Sequence, residues 1–272
     1  MLRSMYASVS SMLTLQARQG VITNNLANIN TTGYKGQTVV AKSFDEMLLH
    51  NKDSYENGVS NVKDLGSLSF GVRIDDTFTS YNQGSLVSTD NNTDFAIVGS
   101  GFFQVSDDAN NTYYTRDGSF KVDPQGYLVT NSGEYVMGTN TQTGNSERIY
   151  VGTDLISISP DNSVMINGEN KYKFNIVDFE NYDNLTKYGN NLYKGEGGFN
   201  SNNYSIKQKY LEGSNVDSIN EIAMMMETVN EFEANQKVIQ TIDSILGQIA
   251  SDIGRVKSVS YTHLRAHETR SN

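Results

Sequence analysis

Cysteine is absent from the 272 residues, so disulfides, thiolate zinc sites and cysteine nucleophiles are all excluded. Histidine is scarce, with three residues, which leaves little material for a catalytic triad built on a histidine base. Positive charge is also scarce, because 21 Lys and Arg stand against 31 Asp and Glu, giving a net charge of −10. Binding to nucleic-acid phosphates requires clustered basic residues, so this composition argues against a nucleic-acid binder.

Long hydrophobic runs are missing as well. No run reaches the roughly 18 apolar residues that a membrane-spanning helix needs, so the sequence predicts no membrane insertion. Arg3 could belong to a signal peptide, but Ser, Thr and Gln interrupt every apolar run that follows it. We therefore predict no cleavable signal peptide, and a protein of this kind that leaves the cytoplasm would need another export route.

The last residues depart from the pattern of the rest of the chain. The stretch VSYTHLRAHET resembles a translated sequencing adapter, so we interpret residues 258–272 as a non-native tail; the alternative is a genuine C-terminal tail. His263 and His267 fall in this tail, and their exclusion leaves His50 as the only histidine for a catalytic site. His50 lies in a polar stretch, where we expect a solvated side chain and not a catalytic base.

Helical periodicity marks both ends of the chain. In residues 1–40, apolar residues recur mostly at spacings of three and four until Thr31-Thr32-Gly33, where the glycine can end a helix in a left-handed conformation. In residues 211–257, Ser218 and Glu221 fit a capping box at the helix start. The later part of this segment has a strict 3-4-3-4-3 apolar spacing, formed by Ile239, Ile242, Leu246, Ile249, Ile253 and Val256.

The sequence between the two predicted helices has a different composition and pattern. Residues 71–210 contain short β-rich runs separated by Gly, Asn and Asp, and the segment DPQG at 123–126 predicts a tight hairpin turn. Residues 41–70 are polar and less regular, and we interpret them as an extended connector. The predicted fold class is therefore α+β, with an all-β domain inserted between terminal helices that pair as a coiled-coil-like domain.

Charge favours this pairing of the two helices. Residues 1–44 contain four basic residues and no acidic residue, whereas residues 212–257 contain eight acidic residues against three basic ones. Opposite charges favour the pairing and its register, although they cannot specify a fold. Two paired helices would still leave apolar surface uncovered, and such surface usually indicates contact with further copies of the chain.

Metal and cofactor motifs are weak in this sequence. The stretch DNNTD at 90–94 begins like a calcium loop, but Phe95 stands where an EF-hand requires glycine, and no matching glutamate follows. Gly99-Ser100-Gly101 lacks the remainder of a dinucleotide-binding fingerprint and is more typical of a turn between strands. We therefore predict no metal and no cofactor.

Four stretches in order along the chain resemble the signatures of the flagellar rod, hook and hook-associated axial proteins. These are NNLANINTTGYK at 24–35, FAIVGSGFFQV at 95–105, YTRDGSFKVDPQGYLVT at 114–130, and YLEGSNVD at 210–217 followed by EANQKVIQTIDSIL at 233–246. The chain length and RDGSFKVD are most similar to the distal rod members of the family. The opening MLRSMY and the later IASDIGRV are similar to proximal rod members, so that alternative stays open.

The resemblance implies a structural subunit of the bacterial flagellar basal-body rod that is not an enzyme. Such a subunit polymerises through its terminal helices and transmits torque from motor to hook. Its implied partners are other copies of itself, other rod proteins, the hook protein and the flagellar type III export apparatus. The alternatives are a proximal rod or hook protein or, in a different class, an extracytoplasmic β-domain enzyme or glycan-binding module.

Within this interpretation, apolar side chains of the signature segments seal helix interfaces, while asparagine amides fix the register between subunits. The residues that we expect at subunit interfaces are Asn24, Asn25, Leu26, Asn28, Ile29, Asn30, Gly33, Leu211, Asn215, Val216, Asn235, Ile239, Ile242, Leu246 and Ile249.

Overall fold

The computed structural model describes residues 2–56, 59–189, 191–201 and 203–256. The predicted tail at 258–272, with its two histidines, lies outside these residues. The chain divides into two compact units: unit 1 comprises Met1–Val21, Val39–Phe78 and Ala223–Asn272, and unit 2 comprises Ile22–Thr38 and Thr79–Ile222. No helix among the described residues is long and apolar enough to cross a membrane.

Two long helices frame the chain, as predicted. Helix α1 is Leu2–Ala27 and helix α2 is Ser218–Val256, with 39 residues in α2. Helix α1 ends well before residue 40, which corrects the predicted extent of 1–40. At its end the amide of Asn28 donates to the carbonyl of Asn24 at 2.9 Å, and such side-chain bonds compete with the helical backbone pattern.

The start of α2 is capped differently from the prediction. Asp217 is the capping residue, because its Oδ1 accepts from the backbone N–H of Ile219 at 3.0 Å and its Oδ2 accepts from the amide of Asn220 at 3.0 Å. The capping box that we predicted from Ser218 and Glu221 is therefore wrong. Ser218 is the first helical residue, and Glu221 is buried in contact with other side chains.

Four strands of the described chain lie between α1 and the main β region. Strand β1 (Gln37–Ser43) pairs with β4 (Val72–Thr79), and β2 (Met47–Glu56) pairs antiparallel with β3 (Val59–Leu68). The β2–β3 hairpin occupies the range predicted as an extended connector. Met47, Leu48 and Leu65 are exposed, so the described side chains of the hairpin lack the alternating burial by which sequence patterns reveal strands.

The main β region contains seventeen strands among the residues that the structure describes. Strands β5 (Leu86–Ser88) and β21 (Tyr210–Glu212) pair antiparallel, as do β6 (Phe95–Gly99) and β20 (Tyr204–Gln208). Strands β7 to β19 form one 13-stranded sheet, whose longest path is β13-β14-β15-β11-β7-β8-β18-β17. Their bounds are β7 Phe102–Ser106, β8 Thr112–Thr115, β9 Lys121–Val122, β10 Leu128–Val129, β11 Tyr135–Asn140, β12 Ser146–Arg148, β13 Ile156–Ile158, β14 Ser163–Ile166, β15 Glu169–Phe174, β16 Ile176–Asp178, β17 Thr186–Lys187, β18 Leu192–Lys194 and β19 Phe199–Asn200. The fold is thus α+β, as predicted.

Phenylalanines form the centre of the β core. The ring of Phe103 lies 5.2 Å from that of Phe120 and 5.5 Å from that of Phe174, and Phe95 lies 5.1 Å from Phe174. All four side chains are buried. Edge-to-face and tilted ring pairs of this kind add to the burial of apolar area, so this cluster stabilises the core of unit 2.

We expect Phe103→Ala to lower the free energy of unfolding by about 3–5 kcal/mol, because it removes a fully buried ring and leaves a cavity. Urea unfolding followed by circular dichroism would measure this loss. Leu155→Ala is the control: its side chain is 74% exposed, and we expect a change within about 0.5 kcal/mol. Equal losses in the two variants would contradict the assigned core.

Candidate functional site

The signature segment that follows α1 packs tightly within unit 2. Gly33 has a φ of +67°, and a Cβ atom at this position would lie 2.4 Å from the backbone nitrogen of Asp117, so only glycine fits there. The hydroxyl of Thr32 donates to Asp117 Oδ1 at 2.7 Å, and the amide of Asn191 donates to the carbonyl of Thr32 at 2.9 Å. These contacts hold the segment against the β region.

Lys35, Arg116 and Glu212 form a buried charge cluster in unit 2. Lys35 Nζ lies 2.6 Å from Glu212 Oε1, and Arg116 Nη1 lies 3.1 Å from Glu212 Oε2. The side chains are 0%, 5% and 0% exposed, in the order Lys35, Arg116, Glu212. The three residues come from the segments TTGYK, YTRDG and YLEGSN, which are far apart in sequence.

Backbone groups complete the charge cluster. Lys35 Nζ also donates to the carbonyl of Asn82 at 2.7 Å, and Arg116 Nη2 donates to that of Gly99 at 2.8 Å. The backbone N–H of Gly84 donates to Glu212 Oε1 at 3.0 Å. Each ion is therefore both paired and hydrogen-bonded, which is the condition under which a charge can be buried.

The cluster contains two cations and one carboxylate. Burial lowers the pKa of Lys35, and the carboxylate of Glu212 opposes this effect by favouring the ammonium form. Among the described residues, Arg116 Nε and the hydroxyl of Tyr193 are buried without a hydrogen-bond partner. Burial also raises the pKa of Tyr193, so this hydroxyl stays protonated. The charged side chains of the cluster are therefore almost completely sealed from solvent.

Asn25 is the centre of a second polar cluster in unit 2. Its amide donates to the carbonyl of Gln37 at 2.8 Å and to Glu221 Oε1 at 3.0 Å. Its Oδ1 accepts from the backbone N–H of Gln37 at 3.0 Å and lies 3.1 Å from the hydroxyl of Tyr34, which is 2.8 Å from Asn24 Oδ1. Both amide hydrogens and the Oδ1 atom of Asn25 are therefore bonded within the chain.

Glu221 is the carboxylate of this second cluster. It is 8% exposed, and its Oε2 is buried without a partner among the described residues. Burial raises the pKa of Glu221, an effect that the hydrogen bond from Asn25 partly offsets. Tyr34 has a raised pKa because of its own burial and the nearby Glu221. Lys187 Nζ lies 4.1 Å above the ring of Tyr34, in a cation–π contact.

The other residues predicted from the signature segments differ in burial and in hydrogen bonding. Asn215 Oδ1 accepts from the N–H of Gly36 at 2.8 Å, and its amide donates to the carbonyl of Ser80 at 2.7 Å. Asn28, Leu26, Ile29, Leu211 and Val216 are partly buried, while Asn24 and Asn30 are exposed. The side chains of Asn25 and Asn215 thus bond to groups of their own chain.

In unit 1, two side-chain contacts connect α1 and α2. Asn235 Nδ2 donates to Ser11 Oγ at 3.3 Å, and Arg18 Nη1 lies 3.9 Å from Glu231 Oε2. The order of these contacts along the two helices is antiparallel. Of the predicted apolar residues of α2, Ile242 is buried and Ile239 partly buried, whereas Leu246 and Ile249 are 36% and 40% exposed.

Sequence reasoning missed Lys35, Arg116, Glu212 and Glu221 as site residues. A signal was available, since Lys35, Arg116 and Glu212 each lie within two residues of a glycine in a signature segment. The predicted candidate for catalysis behaves as expected: His50 is an exposed residue whose Nδ1 lies 2.7 Å from Asp64 Oδ1. This partner is a carboxylate on the neighbouring strand of an exposed hairpin, so the pair is a surface contact.

Family models match three stretches of the chain. The model of the flagella basal body rod protein matches residues 5–35, that of the flagellar hook protein FlgE/F/G D1 domain matches residues 96–168, and that of the flagellar basal body rod FlgEFG protein C-terminal region matches residues 207–252. The charge cluster takes one residue from each match: Lys35 from the first, Arg116 from the second and Glu212 from the third.

Full-length relatives agree with these matches. The FlgG rod proteins of Buchnera aphidicola subsp. Schizaphis graminum and of Bacillus subtilis are each 33% identical to the chain, over 92% of the chain and 99% of their own length. The flagellar hook-basal body complex protein FlhO of Bacillus subtilis is 30% identical over 94% of the chain and 100% of its length. The chain therefore belongs to the family of flagellar basal-body rod proteins. Within this family it is of the FlgG type.

We expect Glu212→Gln to lower the free energy of unfolding by about 3–5 kcal/mol, because it leaves the cations of Lys35 and Arg116 buried without their carboxylate. Denaturant unfolding of the full chain would measure the loss. Glu180→Gln is the matched control, since Glu180 is exposed and should tolerate the same change within about 0.5 kcal/mol. A Glu212→Gln variant as stable as this control would show that the buried pairs add nothing.

A pH-dependent prediction concerns Glu221. Because its pKa in the folded chain is raised above the ordinary 4.5, proton binding stabilises the folded state; this contribution is complete below the ordinary pKa and is lost as the pH rises through the raised value. Glu221→Gln keeps an acceptor for Asn25 but cannot titrate. We expect the stability of the original chain, relative to this variant, to fall as the pH rises through that window. Denaturant unfolding across the pH series would check this, and a constant or rising difference would contradict it.

Proposed function

We propose that the chain is a structural, non-enzymatic subunit of the flagellar basal-body rod that polymerises through its terminal helices and transmits torque from motor to hook. Its membership of the rod protein family supports the role, and its similarity to FlgG over nearly its whole length favours the distal rod. The observation that carries the polymerisation is the face of α2 in unit 1, where Val238, Ile245 and Ile249 are exposed on a long helix.

The coiled-coil-like pairing of α1 and α2 is part of this proposal. The salt bridge of Arg18 with Glu231 and the contact of Ser11 with Asn235 support an antiparallel pairing. Ile242 and Leu15 are buried apolar residues of the two helices in unit 1. A two-helix contact of this size is marginal in water, since most helical stability comes from packing against other elements. Neighbouring subunits would supply the missing packing.

The remaining predicted interface residues keep their proposed role between subunits. Asn24 and Asn30 are exposed and could pair with a neighbouring subunit, and Leu246 and Ile249 could contact its helices. We further propose export through the flagellar type III apparatus, location in the basal body, and contacts with other rod proteins and the hook protein. A position in the proximal rod is the second candidate, supported by the 30% identity to FlhO.

Deletion of the gene, followed by electron microscopy of purified basal bodies, tests the role. We expect basal bodies that lack the distal rod and hook, and restoration by the intact gene. Loss of the proximal rod instead would favour the second candidate. Complete rods and normal swimming in the deletion strain would overturn the proposal.

Ile249→Asp tests polymerisation through α2. Ile249 is 40% exposed in the single chain, so the subunit should fold and keep its circular-dichroism spectrum, yet a charge buried at a subunit contact would cost several kcal/mol. We expect no rods and non-motile cells. Gln248→Asp, at the exposed neighbouring position, should be tolerated within about 0.5 kcal/mol. Normal swimming of Ile249→Asp cells, or equal effects of the two changes, would contradict the mechanism.

A further inference from the structure

A surface pocket in unit 2 lies apart from the two buried polar clusters. Its volume is about 380 Å³, at the lower end of the roughly 300–1,000 Å³ that is typical of small-molecule sites. Asn91 and Lys121 line it and are exposed, whereas Asp94 and Phe120 line it and are 3% and 1% exposed. Leu211 of β21 is a further apolar lining residue. The pocket therefore opens to the surface and extends to buried side chains.

Backbone contacts fix the segments that form the pocket. Asp94 and Ser119 form an antiparallel bridge, and the N–H of Phe95 donates to the carbonyl of Gly118 at 3.0 Å. The N–H of Lys209 donates to the carbonyl of Asp94 at 2.8 Å. The pocket is thus preformed, which lowers the entropy cost of binding a ligand.

Polar side chains dominate the pocket, with six polar residues against two apolar ones among the described lining residues. Asn91 Nδ2 donates to Asp94 Oδ2 at 3.3 Å, and Asn131 Nδ2 donates to Ser119 Oγ at 2.7 Å. A carboxylate has about four acceptor sites, and a primary amide has two donor hydrogens and an acceptor oxygen. Asp94 and the two asparagines therefore retain hydrogen-bonding capacity for a ligand.

The charges of the pocket argue against an ion as its ligand. Asp94 and Lys121 are the ionisable residues among the described lining residues, so their formal charges cancel. Ca²⁺ requires about six to eight oxygen ligands, and the ammonium of Lys121 would oppose a bound cation. A phosphate would meet one ammonium together with a carboxylate that repels it. The lining therefore favours a neutral ligand with many hydrogen-bonding groups.

We propose that this pocket binds a sugar residue of a glycan. Each hydroxyl of a pyranose both donates and accepts, which matches the acceptor Asp94 and the amides of Asn91 and Asn131. A hydroxyl that leaves water needs a replacement hydrogen bond, and the polar lining supplies several. The C–H groups of the ring would pack against apolar atoms such as those of Leu211. The site adds glycan binding to the proposed structural role and does not depend on polymerisation.

Titration of the isotope-labelled full chain with two trisaccharides tests the proposal. The probes are the trimers of N-acetylglucosamine and of glucose, and the readout is the NMR shift of backbone amides. We expect saturable shifts with at least one trimer, and the stronger response shows whether the acetamido group contributes to binding. The shifts should centre on the lining segments at 91–94, 119–121, 131 and 211.

Two variants assign the binding to the pocket. Asn131→Ala removes an exposed amide, so the fold should be kept, and Asp94→Asn removes the charge while it preserves the shape of the side chain. We expect each to weaken binding about tenfold or more, because sugar hydroxyls lose a partner. Asn145→Ala is the matched control: Asn145 is exposed in the turn between β11 and β12, outside the pocket lining, and the affinity should stay unchanged.

Three results would overturn the proposal. They are the absence of saturable shifts with both trimers, shifts that lie outside the lining segments, and equal affinities of Asn131→Ala, Asp94→Asn and Asn145→Ala. The measurement uses the single chain in solution, so its failure leaves the proposed rod function untouched. Basal bodies of the deletion strain test that function separately.

Discussion

The carboxylate of Glu212 is the interaction on which unit 2 depends. It has no exposed surface, and it accepts from Lys35, Arg116 and the backbone of Gly84. A buried ion of this kind stabilises little compared with an apolar replacement, but it is costly to leave unpaired. The cluster therefore favours the native arrangement, because any arrangement in which the three signature segments do not meet would leave a buried charge without its partner.

A second buried polar cluster in unit 2 lies around Asn25, at the start of α2. Both amide hydrogens and the Oδ1 atom of Asn25 bond to groups of its own chain, including the buried Glu221. Hydrogen bonds of this kind are directional and admit one register, whereas an apolar contact tolerates sliding. The asparagine-rich signature thus fixes the register within the subunit at Asn25, while exposed Asn24 and Asn30 have side chains at the surface.

The sequence was sufficient for the features that periodicity and turn chemistry encode. The two helices follow from spacings of three and four, the β region from β-rich runs and turn residues, and the signature motifs indicated the family. The β2–β3 hairpin could not be predicted, because exposed side chains such as Met47 and Leu65 give it no burial pattern. The charge cluster was missed for a different reason: Lys35 and Glu212 are 177 residues apart, and only the folded chain brings them together.

The polar groups are largely used within the subunit, and the exposed groups include many apolar ones. The proposed polymer therefore needs a means of selecting the correct partner face. Since the amide of Asn25 is bonded within the chain, exposed side chains, among them those of Val9 and Ile245, are left for contact between copies in the proposed polymer. Apolar surfaces do not distinguish one partner face from another, because their attraction depends mainly on area. Charge sign discriminates only through ions that are not already used inside the subunit, and Arg18 and Lys35 are paired with Glu231 and Glu212 of their own chain.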